Sequence, residues 1–220
     1  DPEMVDALHA AGLVFIGPPS SAMRRLGDKV QAKRLAEQCG VPLAPWAALD
    51  LDDPTTWAPT ADEVGYPIMV KAANGGGGRG IRRVTAAVDL ARAVRDVVAE
   101  ATAAFGPGEV FLERCIDDAR HVEVQFLVNA DGAATTFGVR DCSLQRRHQK
   151  VIEETPSPVL TPVEEARLTT ATTRLVEAAG YRGVGTAEFL FTPSDRLASF
   201  CEVNARLQVE HTVTEMVWGV

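Results

Sequence analysis

The segment Cys201-Glu-Val-Asn-Ala-Arg-Leu-Gln-Val-Glu-His211 sets two carboxylates, two amides and a guanidinium within the nine residues from Glu202 to Glu210. Its neighbours limit how it can fold. Thr186–Phe191 and Leu197–Asn204 read as strands, and the turn-rich break Thr192-Pro-Ser-Asp-Arg196 between them predicts a hairpin. Alternation along a strand puts Glu202 and Asn204 on one face. With a three-residue loop, Ser194 to Arg196, Glu188 falls opposite Glu202. Two carboxylates about 5 Å apart repel by about 3 kcal/mol at an effective dielectric near 20, so something positive is expected between them. Two acids and an amide, with no Cys or His among them, are hard oxygen donors suited to Mg²⁺ or Mn²⁺ carried in with a nucleotide. The plain alternative is the solvated outer face of an edge hairpin.

A formal net charge of −8 over 220 residues argues against general affinity for nucleic acid or an anionic membrane. Cys39, Cys115, Cys142 and Cys201 lie far apart with no C-x-x-C spacing, which indicates neither a zinc site nor a disulfide framework and points to a reducing, cytoplasmic compartment. No apolar run reaches membrane-spanning length, and the start has no signal-peptide pattern. Both ends look cut. A helix from Asp1-Pro2 closed by Gly12 leads into Leu13–Ile16, which reads as a strand without its sheet, and Val213–Val220 stops in mid-pattern. A fragment of a longer protein is expected.

Ser20 or Ser21 can cap a short helix, and Asp28 a second one that runs from Lys29 through Leu35 and Ala36 to Cys39. A cation at Lys29, in a first helical turn, needs an anionic partner. Pro42 to Glu63 shows no clear periodicity and reads as a loop and subdomain boundary. Ile68–Ala72 is a strand ending on Lys71, and Asn74-Gly-Gly-Gly-Gly-Arg-Gly80 joins it to a second strand, Ile81–Val84. The glycines satisfy G-x-G-x-x-G, but a strand follows where that fingerprint needs a helix, and no Walker A lysine is present. A protein-kinase hairpin has its lysine on the following strand instead. What remains is a hairpin tip whose backbone N–H groups can fold over phosphates beside Lys71, or else a flexible turn.

Ala86 to Phe105 is an amphipathic helix, and Glu109–Ile116 a strand. In the strand His121–Val128, one face is apolar and the other carries His121, Glu123 and Gln125. A turn at Asn129–Gly132 returns the chain through Ala133–Val139. Arg140, Arg146, Arg147, His148 and Lys150 then cluster within eleven positions, and an anion is expected there; the lack of interleaved aromatic residues argues against nucleic acid. A helix from Pro162 leads back to the acidic hairpin.

Tyr66-Pro-Ile-Met-Val-Lys-Ala72 with its glycines, Arg120-His-Val-Glu123, the run from Arg140 through Glu154, and Glu202 to His211 together resemble an ATP-grasp enzyme, and within that superfamily a biotin carboxylase. The resemblance implies an α+β fold in which two subdomains clasp ATP. Residues 1–27 would end a preceding α/β, Rossmann-like subdomain, and 28–220 would be the ATP-grasp domain. Within it 42–116 would form a glycine-rich lid and 117–220 the catalytic, metal-binding part. The implied reaction phosphorylates bicarbonate with ATP to carboxyphosphate and transfers the released CO₂ to a biotin tethered on a carrier domain.

By the same resemblance, Lys29, Lys71 and Gly75, Gly76, Gly77 and Gly78 would bind phosphates. Glu113, Arg114 and Ile116 would line the adenine pocket, Arg114 standing where such enzymes commonly have Lys. His121, Gln145 and His148 would contact ribose or phosphate. Glu188, Glu202 and Asn204 would hold two Mg²⁺ or Mn²⁺ ions. Lys150, Arg206, Gln208 and Val209 would hold bicarbonate with Glu210 as base, and Glu123 matches an active-site acid. Implied partners are the biotin carboxyl carrier domain, a carboxyltransferase domain or subunit and further copies of the same protein. Another carboxyphosphate-forming ligase of the carbamoyl phosphate synthetase type, or a noncatalytic nucleotide-binding module, are the competing readings.

Overall fold

Asp1 accepts hydrogen bonds from the backbone N–H groups of Glu3 and Met4 and opens helix α1 (Pro2–Ala10). The computed structural model describes residues 1–75, 79–146 and 149–219. Leu13–Ile16 is not a strand. No described strand lies beside it to supply a ladder, and Val14 and Ile16 are 90% and 97% exposed. Helix α2 (Ser20–Gly27) starts at Pro19 with no side-chain cap. Ser20, expected as a cap, instead donates its hydroxyl to Asp6 of α1 at 2.5 Å, where Arg24 also binds at 2.6 Å. Asp28 does cap α3 (Lys29–Gln38), accepting from the N–H of Gln31 at 2.8 Å.

The chain divides by contacts into two units, Asp1–Leu43 with Asp118–Val220, and Ala44–Asp117. The second unit contains more regular structure than its sequence suggests. Strand β1 (Trp46–Ala48), a 3₁₀ turn (Pro54–Thr56) and helix α4 (Trp57–Val64) replace the expected loop. Pro59 obscures the helix in the sequence but is tolerated in its first turn. Trp57, Ala61 and Val64 form its buried face, and the Trp57 indole donates to the Asp50 carbonyl at 2.6 Å. Strands β2 (Ile68–Ala72) and β3 (Ile81–Val84), helix α5 (Ala87–Phe105) and strand β4 (Val110–Arg114) complete the unit. The antiparallel sheet runs β1-β4-β2-β3. Leu90, Val94, Val97 and Ala101 of α5 pack on Ile68, Val70 and Leu112.

The first unit resumes with β5 (Arg120–Val128), β6 (Ala134–Arg146), β7 (Gln149–Glu154), α6 (Pro162–Ala178), β8 (Gly183–Thr192), β9 (Leu197–Asn204) and α7 (His211–Trp218). The five strands pair antiparallel in the order β7-β6-β5-β8-β9. Val122, Val124 and Phe126 of β5 and Ala187, Phe189 and Phe191 of β8 face one core, closed by Leu168, Leu175 and Val176 of α6 and Ala32 and Ala36 of α3. Helix α6 carries a full capping box, Thr161 with Glu164. One face of the sheet is thus covered, and the polar alternates of β5, β8 and β9 project from the other. Among the described residues no helix is long and apolar enough to cross a membrane. No disulfide joins the four cysteines among the described residues.

Two glycines test this packing in opposite directions. A Cβ at Gly185 in β8 would sit 2.6 Å from the Phe126 ring and 2.9 Å from the Asn204 carbonyl and the Tyr181 hydroxyl. Gly185→Ala is therefore expected to cost about 1–3 kcal/mol by overpacking. At Gly27, the last residue of α2, a Cβ would meet nothing within 4 Å, and Gly27→Ala should stabilise by about 0.4–1 kcal/mol. Urea titrations of the two variants check both signs.

Candidate active site

Glu188 and Glu202 are direct partners across the β8–β9 hairpin, though not by the expected route. The loop, Pro193 to Arg196, has four residues, because Thr192 already pairs with Leu197. Left uncorrected, that register would slide Glu202 one place past Glu188. A bulge between Glu188 and Phe189 restores the match: Phe189 pairs with Phe200 and Glu188 with Glu202, which leaves Cys201 as the extra residue. The bulge also changes the face. Phe200 and Val203 both enter the core, whereas strict alternation would have put Phe200 beside Glu202 and Asn204. The spacing of three between Phe200 and Val203 is the signal in the sequence that could have revealed it.

The acidic pair has cations on both sides. Lys29 Nζ, at the start of α3, lies 3.4 Å from Glu202 Oε2. Glu188 accepts from Asn204 Nδ2 at 2.8 Å, from Lys150 Nζ at 3.1 Å and, through its other oxygen, lies 2.9 Å from His121 Nε2. Burial pushes the Glu188 carboxyl up, but the His121 hydrogen bond and the His121 and Lys150 charges outweigh it and hold the group at about 2. His121 is drawn the other way. Burial lowers its proton affinity, yet Glu188 raises it above the ordinary value. Gln145 restrains that protonation, since its amide nitrogen is 2.7 Å from His121 Nδ1 and also donates to the Cys142 carbonyl. The cationic imidazole would require the Gln145 amide to turn.

Strand β6 continues through Arg146 and pairs antiparallel with β7, so Arg140 and Arg146 lie on one strand and Lys150 on the other. Contrary to expectation, Arg140 does not offer itself to an external anion. It is 1% exposed and binds Glu123 through Nε and Nη2 at 2.7 and 2.5 Å. Its Nη1 donates to Gln125 and to Thr214 of α7, each at 2.8 Å. The polar face of β5 is accordingly buried rather than solvated. Arg147 and His148 lie outside the described residues, as do Gly76, Gly77 and Gly78.

Lys150 is the junction. Its ammonium meets Glu123, Glu188 and, at 2.7 Å, Glu210. Burial lowers its proton affinity, and the Glu188 and Glu123 charges raise it further than burial lowers it, so Lys150 stays protonated. Burial likewise raises the Glu210 carboxyl while the Lys150 hydrogen bond, the local backbone and the Lys150 charge bring it net below the usual range. Residues 205–210 are not helical, so Arg206 and Glu210 do not form a helical ion pair; Arg206 is exposed and donates to the Leu207 carbonyl. Gln208 accepts from Thr186 at 2.5 Å, and Val209 is exposed.

Glu153, which sequence reasoning missed, lies behind this cluster. Both of its carboxyl oxygens are buried, the Cys142 thiol is the polar group beside them, and burial pushes the carboxyl up. Glu123, Cys142 and Glu153 each bring one ligand atom within 4.8 Å of the others. That set does not suit a soft metal, because burial keeps Cys142 a thiol and Glu123 already serves two cations.

The Ala44–Asp117 unit has its own charged pair. Lys71 Nζ lies 2.5 Å from Glu113 Oε2, and Arg114 Nε donates to the Val64 carbonyl at 2.8 Å. Ile116 is half-buried just beyond β4, and Gly75 donates to the Ala72 carbonyl at 3.1 Å.

Because the Glu188 carboxyl is held below its ordinary 4.5, its contribution is present above pH 4.5 and is lost as pH falls toward about 2. Roughly 2 kcal/mol of it should disappear between about pH 4.5 and 3. Urea midpoints measured across that interval should fall more steeply for wild type than for Glu188→Gln. Parallel slopes would show that the pair contributes nothing to acid sensitivity.

The family model described as "Carbamoyl-phosphate synthase L chain, ATP binding domain" matches residues 28–220. Over 99% of its length the chain is 45% identical to the biotin carboxylase of Pseudomonas aeruginosa and, over the same share, 44% identical to the pyruvate carboxylase of Pichia angusta. It spans 48% of the first protein and 18% of the second. Among solved structures it superposes on the β,γ-ATP complex of Campylobacter jejuni biotin carboxylase with a TM-score of 0.95 at 41% identity, covering all of this chain and 49% of that one. The biotin carboxylase domain of Hydrogenobacter thermophilus 2-oxoglutarate carboxylase, solved with MgADP, ADP and bicarbonate, gives 0.93 at 37% identity, covering all of this chain and 48% of that one. With a model match over most of its length and the α+β fold of the biotin carboxylase ATP-grasp structures, the chain belongs to the carbamoyl-phosphate synthase L chain ATP-binding-domain family.

Proposed function

We propose that this chain is the ATP-grasp part of a biotin carboxylase, which phosphorylates bicarbonate with ATP and passes the resulting CO₂ to a biotin carried on a separate domain. The observation that carries this reading is Lys150, one ammonium shared by Glu188 of the acidic hairpin and by Glu210. A small anion placed there would meet a fixed positive charge on one side and an ionised base on the other.

Glu188, Glu202 and the carbonyl oxygen of Asn204 are hard donors opposed across one hairpin, a set that fits Mg²⁺ or Mn²⁺. A bound divalent ion would offset the charge of the nucleotide's terminal phosphates. Lys29 would add its ammonium to the same phosphates, leaving Glu202. Within the Ala44–Asp117 unit, this reading assigns Lys71 and Gly75 to phosphate and Glu113, Arg114 and Ile116 to adenine. In the reaction, Glu210 takes the bicarbonate proton. A bicarbonate oxygen then bonds to the γ-phosphorus while its bond to the β–γ bridging oxygen breaks and ADP leaves. Carboxyphosphate breaks its bond between the carboxyl carbon and the phosphate oxygen to give phosphate and CO₂; the phosphate takes the N1 proton of biotin, and N1 bonds to the CO₂ carbon. Lys150 and Arg206, with the Gln208 and Val209 backbone, would hold the bicarbonate while this happens. Glu123 would act by holding Lys150, not by proton transfer, since it is fully buried between two cations. His121 and Gln145 would orient Glu188 on the metal side.

The carrier domain, a carboxyltransferase and further copies of the protein are the partners that this reading requires, and the lack of a disulfide among the four cysteines supports a cytoplasmic setting. ATP hydrolysis that depends on both bicarbonate and biotin tests it. Hydrolysis stimulated by ammonia and not by biotin would favour a carbamoyl phosphate synthetase chemistry instead, and nucleotide binding without turnover would favour a noncatalytic module.

Two substitutions separate the roles. Glu210→Gln is expected to leave ATP binding within a factor of about two or three while biotin-dependent turnover falls by about 10² or more. Glu202→Gln should instead abolish the coupling between Mg²⁺ and a nonhydrolysable ATP analogue, read by titrating one against the other. Loss of ATP affinity in Glu210→Gln, or intact coupling in Glu202→Gln, overturns the corresponding assignment.

A further inference from the structure

We propose that Arg140, anchored by Thr214 and Gln125, is a positioning residue that fixes where Glu210 stands relative to Lys150. Arg140, Glu123, Lys150 and Glu210 are joined in series by ion pairs, and Thr214, one helical turn beyond Glu210, closes the series back onto Arg140. The result is a closed ring of contacts through β5, β6, β7 and α7. Each vertex is held from two sides, so none can move without stretching a neighbour.

Thr214 is the one residue of α7 buried in the structure, and its hydroxyl accepts from Arg140. At the other end of that helix, Trp218 meets Phe137 edge-on with ring centroids 5.8 Å apart. Glu210 occupies the N-cap position but makes no capping bond, which leaves its carboxylate for Lys150. The placement of that carboxylate therefore depends on how α7 is pinned, and the polar pin is the Thr214–Arg140 bond. Gln125, the second acceptor of Nη1, is itself fixed by donating to the Gly185 carbonyl at 2.9 Å.

A buried guanidinium is an expensive way to neutralise one carboxylate, and a well-packed apolar replacement is often as stable. What the guanidinium adds is geometry. Its planar fork takes Glu123 along one edge and presents Nη1 to two further acceptors, a set of directions that no other side chain offers at once. Glu123 then gives its remaining oxygen to Lys150. Arg140 thereby sets both ends of the Lys150–Glu210 contact, one through Glu123 and the other through Thr214.

This inference rests on the proposed function only for its kinetic arm. In that arm Thr214→Val, which keeps the shape and removes the hydroxyl, should raise the KM for bicarbonate or lower kcat by about tenfold. The KM for MgATP should stay within about twofold, and Thr214→Ser should return both parameters to near wild type. Equal losses in the Val and Ser variants, a bicarbonate KM and kcat both unchanged in Thr214→Val, or a parallel rise in the two KM values would overturn it. Thr214→Ala, which only deletes atoms, carries the same comparison should Thr214→Val not fold, and failure of both to fold would make Thr214 a folding residue.

The second arm needs no activity. Glu210 is faced by Lys150 and Glu153 of β7 and Arg140 of β6, with Glu123 of β5 behind Lys150 and His211 and Glu215 on its own helix. The carboxyl carbon of Glu210, followed by NMR in labelled protein, should titrate about half a pH unit or more higher in Thr214→Val, as its contact with Lys150 loosens, and at the wild-type pH in Thr214→Ser. An unmoved midpoint in Thr214→Val overturns the positioning role even if wild type proves to lack biotin-dependent turnover, a result that would count against the proposed function alone.

Discussion

Glu123 has no exposed surface and two cations, and the polar side of the five-stranded sheet is arranged around that fact. A buried carboxylate is costly unless it is paired and hydrogen-bonded. Arg140 takes one oxygen and Lys150 the other. Because Lys150 carries one charge and touches three acids, the cluster keeps surplus negative character toward the hairpin, where Glu188 and Glu202 stand opposed. Lys29 meets Glu202 from the other side, and in the second unit Lys71 is paired with Glu113.

These contacts differ in burial. Arg140, Gln125 and Thr214 are all buried to within 1%, and they bond to one another, to Glu123 and to backbone. The Lys71–Glu113 pair is also largely buried, with 22% and 9% of the two side chains exposed, whereas Lys29–Glu202 lies nearer solvent, Glu202 keeping 37% of its side chain exposed. A surface pair contributes on the order of 1 kcal/mol or less, so opening Lys29–Glu202 costs the fold little. The interior set could not be opened at similar cost.

Local pattern revealed the strands other than β1 and β7, the amphipathic helix α5 and the capped helix α3, because these depend on alternation, helical period and turn chemistry; it also opposed Glu188 to Glu202, but through a three-residue loop where the structure has four residues and a bulge. It failed where the deciding contact was distant. Leu13–Ile16 has strand composition but no described neighbour to pair with. Trp57–Val64 looked irregular because a proline interrupts an eight-residue pattern, and packing on the small sheet decides that it is helical. Arg140 was grouped with the basic run by sequence proximity, yet its partners are 15, 17 and 74 positions away. A sequence window cannot show that a cation already has an internal acid. Glu153 and Thr214 had no local signature, since each matters only through the strand or helix it meets.

The extra residue at Cys201 divides the last strand into two halves with opposite parity. From Leu197 to Phe200 the even-numbered positions face the oily interior; from Glu202 onward they face the acids. Adding or deleting a single residue anywhere in the loop or strand would therefore invert the facing of everything on one side of it, unless a second change of one residue restored the count. The loop with four residues and the extra residue at Cys201 are such a compensating pair, since a shorter loop with a regular strand would oppose the same two glutamates while turning Phe200 outward. Sequences of this stretch that differ in length should thus be compared by parity before residue identity, because a carboxylate aligned one place out belongs to the other side of the sheet.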